Sequence, residues 1–575
     1  MSQDKVSADR VSGSSIHSGE TTAGVVARTL AASGIDHLFL MTGGDLSLWQ
    51  AIRGAGIRLV LCRSEAGSVA MADAYARLTG RPAAVYGQWG PGAANVAGAL
   101  ADAAWARSPV LALTSTVPTT TEYRNEYQEL DQPPMFSSVT KWQARINRPD
   151  RAADVLNQAV HIAQAGSPGP VHVDIPSDVL KMPVSEGSER APAGPILRQH
   201  VPSQEAIAQV ARLLSQSSRP VLLAGQGVLL GHGEAALKAF AEAALVPVVT
   251  TMGGKGAIAE THSLSLGVAG RYSRKSANEI LAKADFVLVL GSDLGGLATD
   301  TYRLPRPGTQ IVQVDLVEEQ IGRTVPVTLG VVADAGSVCA QMITATIDRT
   351  ERKQAWRLEV AAVRARWHEE FVRVASEPAQ GHVRPEAIVA IMAELLADDD
   401  IVVADTGFMG AWGGALYPVP KAGRYFLRAA GTLGWAFPAV LGAQLAAGSA
   451  RRAVALIGDG GFGYHAGDLE TAVRLGIPAI TIVMNNSSLA YEHIGYMQNL
   501  KGDVVTEVCD FSDVDFASVA ESFGATGYRV SSADHFKTAL ASAIAARVPS
   551  LIDVRVSKNR FAPVTTFDRR TVRDL

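Results

Sequence analysis

The chain is poor in cysteine, in runs of like charge and in long apolar stretches, and each lack excludes something. Its 575 residues hold three cysteines, Cys62, Cys339 and Cys509, far apart and without C-x-x-C spacing. So sparse and odd a set excludes a cysteine-based zinc site and fits a reducing, cytoplasmic compartment. No Lys/Arg run occurs, and 52 Lys+Arg against 56 Asp+Glu leave a formal charge of −4. That balance argues against a nucleic-acid partner and for a small molecule. The longest apolar stretch, Thr432 to Ala446, is interrupted by Trp435, Pro438 and Gln444 and is too short to span a bilayer. Residues 1–19 are polar and Ser-rich and lack an apolar core, so they read as a disordered lead-in and not as a signal peptide.

What is present is a soluble α/β pattern. Short apolar runs bounded by Gly, Pro or Asp recur at 37–43, 82–88, 108–115, 170–176, 219–225, 285–292, 309–315, 400–407, 452–460 and 478–486. Continuous apolar runs of this kind are strands buried on both faces. Amphipathic stretches such as Thr22–Ser33, Ala66–Thr79 and Glu205–Gln216 lie between them. The alternation predicts three domains, each a mainly parallel sheet flanked by helices. A Ser/Pro/Gly-rich linker at Val184–Gln204 and a charged helix at Asp348–Arg373 set the expected bounds at 20–185, 200–345 and 380–560, with a polar tail at 561–575.

The strongest local signal is in the third domain. A strand ends in Gly458-Asp459-Gly460-Gly461-Phe462-Gly463, a helix-like stretch follows, and the next strand ends in Asn485-Asn486-Ser487-Ser488. Both ends fall at the carboxyl edge of parallel strands, where open α/β sheets bind ligands. Gly460 and Gly461 let backbone N–H groups approach a diphosphate. Asp459 and the Asn486 side-chain oxygen are hard ligands suited to Mg²⁺.

This pattern resembles the thiamine-diphosphate motif of the acetolactate synthase, oxalyl-CoA decarboxylase and pyruvate decarboxylase superfamily. The resemblance implies that Asp459, Asn486 and the Ser488 backbone carbonyl hold Mg²⁺ against the cofactor diphosphate. It also implies a carboxylate against the pyrimidine ring, and Arg63-Ser64-Glu65 looks like the family's His-Glu segment, with Ser64 where histidine is common. Glu65 is then the activating acid. Gly90-Pro91-Gly92-Ala93-Ala94-Asn95 resembles the family's glycine turn after the second strand. Gly431-Thr432-Leu433-Gly434 resembles the segment that bends the cofactor, with Leu433 as the wedge and the Gly431 carbonyl facing the 4′-amino group. Asp405 and Thr406, at a strand end, are expected to reach the diphosphate. Glu65 and Asp459 lie in different domains, so the likeness implies a homodimer or homotetramer with the cofactor between chains.

Within the superfamily, Tyr127-Gln128-Glu129-Leu130-Asp131-Gln132 is closer to the oxalyl-CoA decarboxylase and 2-hydroxyacyl-CoA lyase branch. That branch holds ADP in the central domain, where Gly225, Asp315 and Asp334 are its candidate contacts. Acetolactate synthases bind FAD beside a charged string, which Gly291–Leu297 lacks. ADP, FAD or neither therefore stays open, with FAD the less favoured. Gln128 is expected at the substrate oxygen, and Glu492 is expected to exchange a proton with a 2-hydroxyacyl substrate. The polar tail, with Arg569, Arg570 and Arg573, is expected to close over a bound acyl-CoA, whose phosphates Lys421 and Arg424 are also placed to meet. The expected reaction is cleavage of a 2-hydroxyacyl-CoA to formyl-CoA and a ketone or aldehyde. The competing reading is a carboligase or decarboxylase on free 2-keto acids or acyloins, like acetolactate synthase or benzaldehyde lyase. A non-catalytic scaffold would tolerate loss of Glu65, Asp459 or Asn486, and all three are present. A dehydrogenase fails for want of G-x-G-x-x-G opening a βαβ unit.

Overall fold

The computed structural model describes residues 20–43, 45–184, 200–345, 353–500 and 504–565. Among the described residues, eighteen strands make up three sheets of six. The first holds β1 (His37–Leu40), β2 (Arg58–Leu61), β3 (Ala83–Gly87), β4 (Val110–Thr116), β5 (Gln143–Arg145) and β6 (Val171–Pro176), in the order β2-β1-β3-β4-β6-β5. The second holds β7 (Pro220–Ala224), β8 (Val248–Thr250), β9 (Ser265–Val268), β10 (Phe286–Leu290), β11 (Gln310–Asp315) and β12 (Leu329–Val332). Its order, β12-β11-β10-β7-β8-β9, reverses between β7 and β10. The third holds β13 (Ile401–Ala404), β14 (Phe426–Arg428), β15 (Ala453–Gly458), β16 (Ile480–Asn485), β17 (Thr526–Val530) and β18 (Ser550–Arg555), in the order β14-β13-β15-β16-β18-β17. Neighbouring strands within each sheet run parallel, for example β13 with β15 and β15 with β16. All ten apolar runs singled out in the sequence contain a strand. Burial explains why they stood out: β3, β4, β6, β7, β10 and β16 are buried at every residue.

Six helices position the site. They are α1 (Glu65–Thr79), α2 (Pro91–Trp105), α3 (Ala436–Ala447), α4 (Asp459–His465), α5 (Asp468–Leu475) and α6 (Ala490–Asn499). Helix α1 starts where the Ser64 side chain accepts from Gly67 N–H, and stops at Gly80, whose φ of 70° is left-handed. Its apolar side meets α3 of the third domain, and one continuous core joins Val69, Ala72 and Ala76 to Phe437, Val440 and Leu441. The approach is close because the facing residues are small. A Cβ on Gly442 would lie 2.1 Å from the Met71 carbonyl oxygen. The seam also carries a buried polar knot, in which Asp73 accepts from Arg77 Nε at 2.8 Å and from Trp435 Nε1 at 3.0 Å.

The central domain docks on the third through a buried triad. Lys255 Nζ donates to Glu260 Oε1 and to the Tyr417 carbonyl, both at 2.6 Å, and Arg274 Nη2 donates to Glu260 Oε2 at 2.6 Å. Removing Glu260 strands two cations in the interior. The start of the expected tail is docked as well, because Ala562 and Val564 are fully buried and Thr565 N–H donates to the Arg271 carbonyl at 3.0 Å. Arg569, Arg570 and Arg573, and the lid expected of them, lie outside the described residues. Among the described residues no helix is long and apolar enough to cross a membrane.

Gly442→Val forces the α1–α3 seam apart. The expected cost is about 1–3 kcal/mol, read as a lower thermal midpoint, whereas Gly98→Ala on the exposed face of α2 meets nothing within 4 Å.

Candidate active site

The first half of the site sits at the carboxyl edge of the first sheet. Glu65 is the first residue of α1, and its Oε2 accepts from Asn95 Nδ2 on α2 at 3.1 Å. A Cβ on Gly92 would lie 3.1 Å from Glu65 Oε1, so the glycine leaves the carboxylate its room. The turn that carries Gly92 is fixed by Gln132, which accepts the Gly90 N–H at 2.9 Å. Gln132 is itself buried and donates to Thr114 Oγ1, the Ser115 carbonyl and Asp174 Oδ1. Gln128 lies beside this turn, with φ of 63° and its Oε1 3.4 Å from Gln88 Nε2. Glu65, Gly92, Asn95 and Gln128 are thus brought into one cluster.

The second half lies at the ends of β15 and β16. Asp459 opens α4, and its Oδ2 accepts from Ser488 N–H at 3.2 Å. The Asn486 side-chain oxygen accepts from the same N–H at 3.0 Å, so two oxygens meet at one point. Burial pushes the Asp459 carboxyl up to about 6, against backbone N–H groups that pull it down. Ser488 Oγ is buried there without a partner. Among the described residues no group of three His, Cys, Asp or Glu side chains gathers elsewhere for a metal. One carboxylate, one amide oxygen and a backbone carbonyl suit a hard ion that keeps phosphate oxygens as further ligands, and Mg²⁺ fits. Gly460 lies half-buried beside them.

Between the halves runs the segment 430–436, held by two buried carboxylates. Asp102, on α2 of the first domain, accepts from Ala430 N–H, and from Gly431 and Thr432 N–H at 3.1 Å each. Asp405 accepts from Gly434 N–H at 2.9 Å and Ala436 N–H at 3.1 Å. The expectation that the Asp405 side chain reaches the diphosphate is therefore corrected: it faces inward, burial pushes its pKa to about 7, and a Cβ on Gly461 would sit 2.3 Å from its Oδ2. Thr406, the next residue, stays half-exposed. Leu433, half-buried, is lifted between the two anchored ends, while Gly431 beside it is exposed. Asp102 was missed in the sequence, although an acid inside the apolar run ALADAAW is a signal of a buried partner.

Beyond Ser488, α6 turns its Glu-His pair in opposite directions. His493 is buried, with Nε2 3.2 Å from Asn559 Oδ1, and Glu492 is exposed in the first turn. Tyr491, before it, packs on Phe408 with ring centroids 5.5 Å apart.

The central-domain candidates do not form a nucleotide cradle. Gly225 and Gly227 N–H groups are already paired with the Leu290 and Gly291 carbonyls at 2.8 and 2.9 Å. A Cβ on Gly225 would lie 2.1 Å from Gly291 O, so close packing of β7 on β10 is the reason for glycine there. Asp334 caps the helix Ala335–Thr344 through Ser337 N–H at 2.7 Å, and Asp315 Oδ1 accepts from Val317 N–H at 2.9 Å. These side chains close local turns, and the expectation of ADP on them finds no support.

A carboxylate at a helix start in one domain, a hard-ligand pair beside a glycine turn in another, and a bowed loop between them define a thiamine-diphosphate enzyme. Residues 20–135, 207–342 and 405–554 match the families described as the N-terminal TPP binding, central and C-terminal TPP binding domains of thiamine pyrophosphate enzymes. The chain belongs to the thiamine pyrophosphate enzyme family. It is 30% identical over 557 residues to a probable acetolactate synthase large subunit of Methanocaldococcus jannaschii, covering 94% of this chain and 93% of that protein. It is 30% identical over 568 residues to a sulfoacetaldehyde acetyltransferase of Rhodobacter capsulatus, covering 91% and 92%. The solved thiamine diphosphate-dependent 4-hydroxybenzoylformate decarboxylase of Rhodococcus jostii RHA1 shares the fold, with a TM-score of 0.80 at 23% identity over 94% of this chain and 99% of that one.

Asp459→Ala removes the carboxylate from the hard-ligand pair. Mg²⁺-dependent thiamine diphosphate affinity is expected to fall by about 100-fold or more, measured by fluorescence titration, with the circular-dichroism spectrum unchanged. Asp405 generates a pH effect of definite sign. Its folded pKa lies above its unfolded value, so the stability it contributes is complete in acid and is lost as pH rises through about 7. Asp405→Asn therefore narrows the gap in thermal midpoint between pH 5 and pH 8 in the cofactor-free protein.

Proposed function

We propose that the enzyme cleaves the carbon–carbon bond of a 2-hydroxyacyl-CoA, giving formyl-CoA and a ketone or aldehyde. The observation that carries this reading is Glu492, an exposed carboxylate in the first turn of α6, four residues beyond Ser488. A 2-hydroxyacyl thioester has a hydroxyl proton that must leave as the new carbonyl forms, and a 2-keto acid has none. Glu492 takes that proton and returns it to the carbon that becomes formyl. The bond between C1 and C2 breaks, the hydroxyl proton ends on C1, and no oxidant or reductant enters.

The remaining residues bind and orient. Asp459, Asn486 and the Ser488 carbonyl would hold Mg²⁺, Leu433 would support the cofactor, and Glu65 would hold a proton at the aminopyrimidine nitrogen. Thiamine diphosphate, when bound, supplies the electron sink that carbon–carbon cleavage requires. Gln128 donates to the substrate oxygen. The site is completed between the first domain of one chain and the third of another, in a homodimer or homotetramer.

A second reading, a carboligase or decarboxylase on free 2-keto acids, draws its support from the relatives named acetolactate synthase and sulfoacetaldehyde acetyltransferase. Purified protein with thiamine diphosphate and Mg²⁺, offered a panel of 2-hydroxyacyl-CoA thioesters and 2-keto acids, separates the two. Formyl-CoA release supports the lyase. Consumption of 2-keto acids with no formyl-CoA from any thioester overturns it. Glu492→Gln is expected to slow formyl-CoA formation by about 100-fold or more with cofactor affinity unchanged.

A further inference from the structure

The segment that carries Glu65 is held by the same chain's third domain, through groups to which the mechanism assigns no role. Arg63 N–H donates to Asp468 Oδ1 at 2.9 Å. Ser64 Oγ lies 3.4 Å from Nδ1 of His465, the last residue of α4. Gly67 packs so closely on α5 that a Cβ there would lie 2.5 Å from Asp468 Oδ2. Arg474 Nη2 reaches back to the Leu61 carbonyl at 2.6 Å.

Ser64 already accepts the Gly67 N–H at 3.0 Å, which leaves its own hydroxyl proton to be placed. His465 Nδ1 is the ring nitrogen in reach, and it accepts that proton only when unprotonated. The charged groups around the imidazole are Asp468, with Oδ2 4.0 Å from Nδ1, and Glu65, next in sequence to Ser64, while Arg63 and Glu470 pair with each other at 3.9 Å. The His465 side chain is 12% exposed, and burial lowers its pKa, so the ring is neutral near pH 7.

We propose that His465 is a positioning residue for Glu65: from the third domain it supplies the imidazole that Arg63-Ser64-Glu65 lacks, and acts through Ser64 to fix the first turn of α1. The chain Nδ1, Ser64 hydroxyl, Gly67 N–H orders the turn whose first side chain is Glu65. This rests on the assignment of Glu65 as the group that exchanges a proton with the aminopyrimidine.

The test follows the rate at which bound thiamine diphosphate exchanges its C2 proton for deuterium, read by acid quench and NMR, in the holoenzyme without substrate. His465→Ala is expected to slow exchange about tenfold or more, with cofactor affinity and thermal midpoint near those of the parent. His465→Asn keeps a hydrogen-bonding side chain at this place and is expected to retain most of the rate. Ser64→His combined with His465→Ser moves the imidazole across the domain boundary and is expected to recover the rate lost in His465→Ala. An unchanged rate in His465→Ala overturns the inference, as does a loss that neither His465→Asn nor the exchange restores. Glu65→Gln is the control: if it leaves exchange unaltered, the assignment of Glu65 itself falls, whereas slow exchange there with a normal rate in His465→Ala sinks only the role of His465.

Discussion

Within a chain, the two halves that the site draws on are tied together by the contact between α1 and α3. The helices belong to the first and third domains, yet their facing residues form one core, and Gly442 lets backbone approach backbone across it. Glu65 begins one of these helices, and the loop bearing Leu433 runs directly into the other. Their relative placement within one chain is therefore set by close packing, which resists displacement far better than a hinge or a few surface ion pairs, and in the proposed assembly it links the Glu65 half of one site to the Leu433 half of the other. The Asp73, Arg77 and Trp435 knot adds direction to a contact that apolar packing alone leaves unspecific.

Carboxylates in this protein divide by what surrounds them. Asp102 and Asp405 are enclosed and accept backbone N–H groups of segment 430–436, so they shape a loop. Asp459 is buried at the end of β15, where its Oδ2 and the Asn486 side-chain oxygen converge on one N–H, and the proposal makes it a cation ligand. Glu65 and Glu492 keep solvent contact, as the proton-exchanging roles proposed for them require. The same side-chain chemistry thus meets different surroundings, and burial and hydrogen-bond donors set how readily each carboxyl ionises.

Much of this was legible in the sequence because the informative residues are local. A strand that ends in Gly458-Asp459-Gly460 and another that ends in Asn485-Asn486 announce a ligand edge from a few neighbours alone. Glu65 at a helix start is equally local. The inward turn of Asp405, the reach of Asp102 to segment 430–432, the hold of His465 on Ser64 and the docking of Ala562 and Val564 each join segments that only folding brings together. No periodicity encodes such meetings. Gly225 and Asp334 misled for a related reason: a glycine after a strand serves backbone packing as readily as phosphate, and a strand-end aspartate caps a helix as readily as it binds ribose.

The grip of Asp102 on Ala430, Gly431 and Thr432 has a consequence for modularity. The bow of that loop is encoded only in part within the third domain, because Asp405 holds its far end while the oxygen atoms that hold its near end come from the first domain. A third domain excised and fused to a foreign partner would carry every metal ligand and still present a slack loop, so the transplantable unit is the pair of outer domains, not the cofactor-binding third alone.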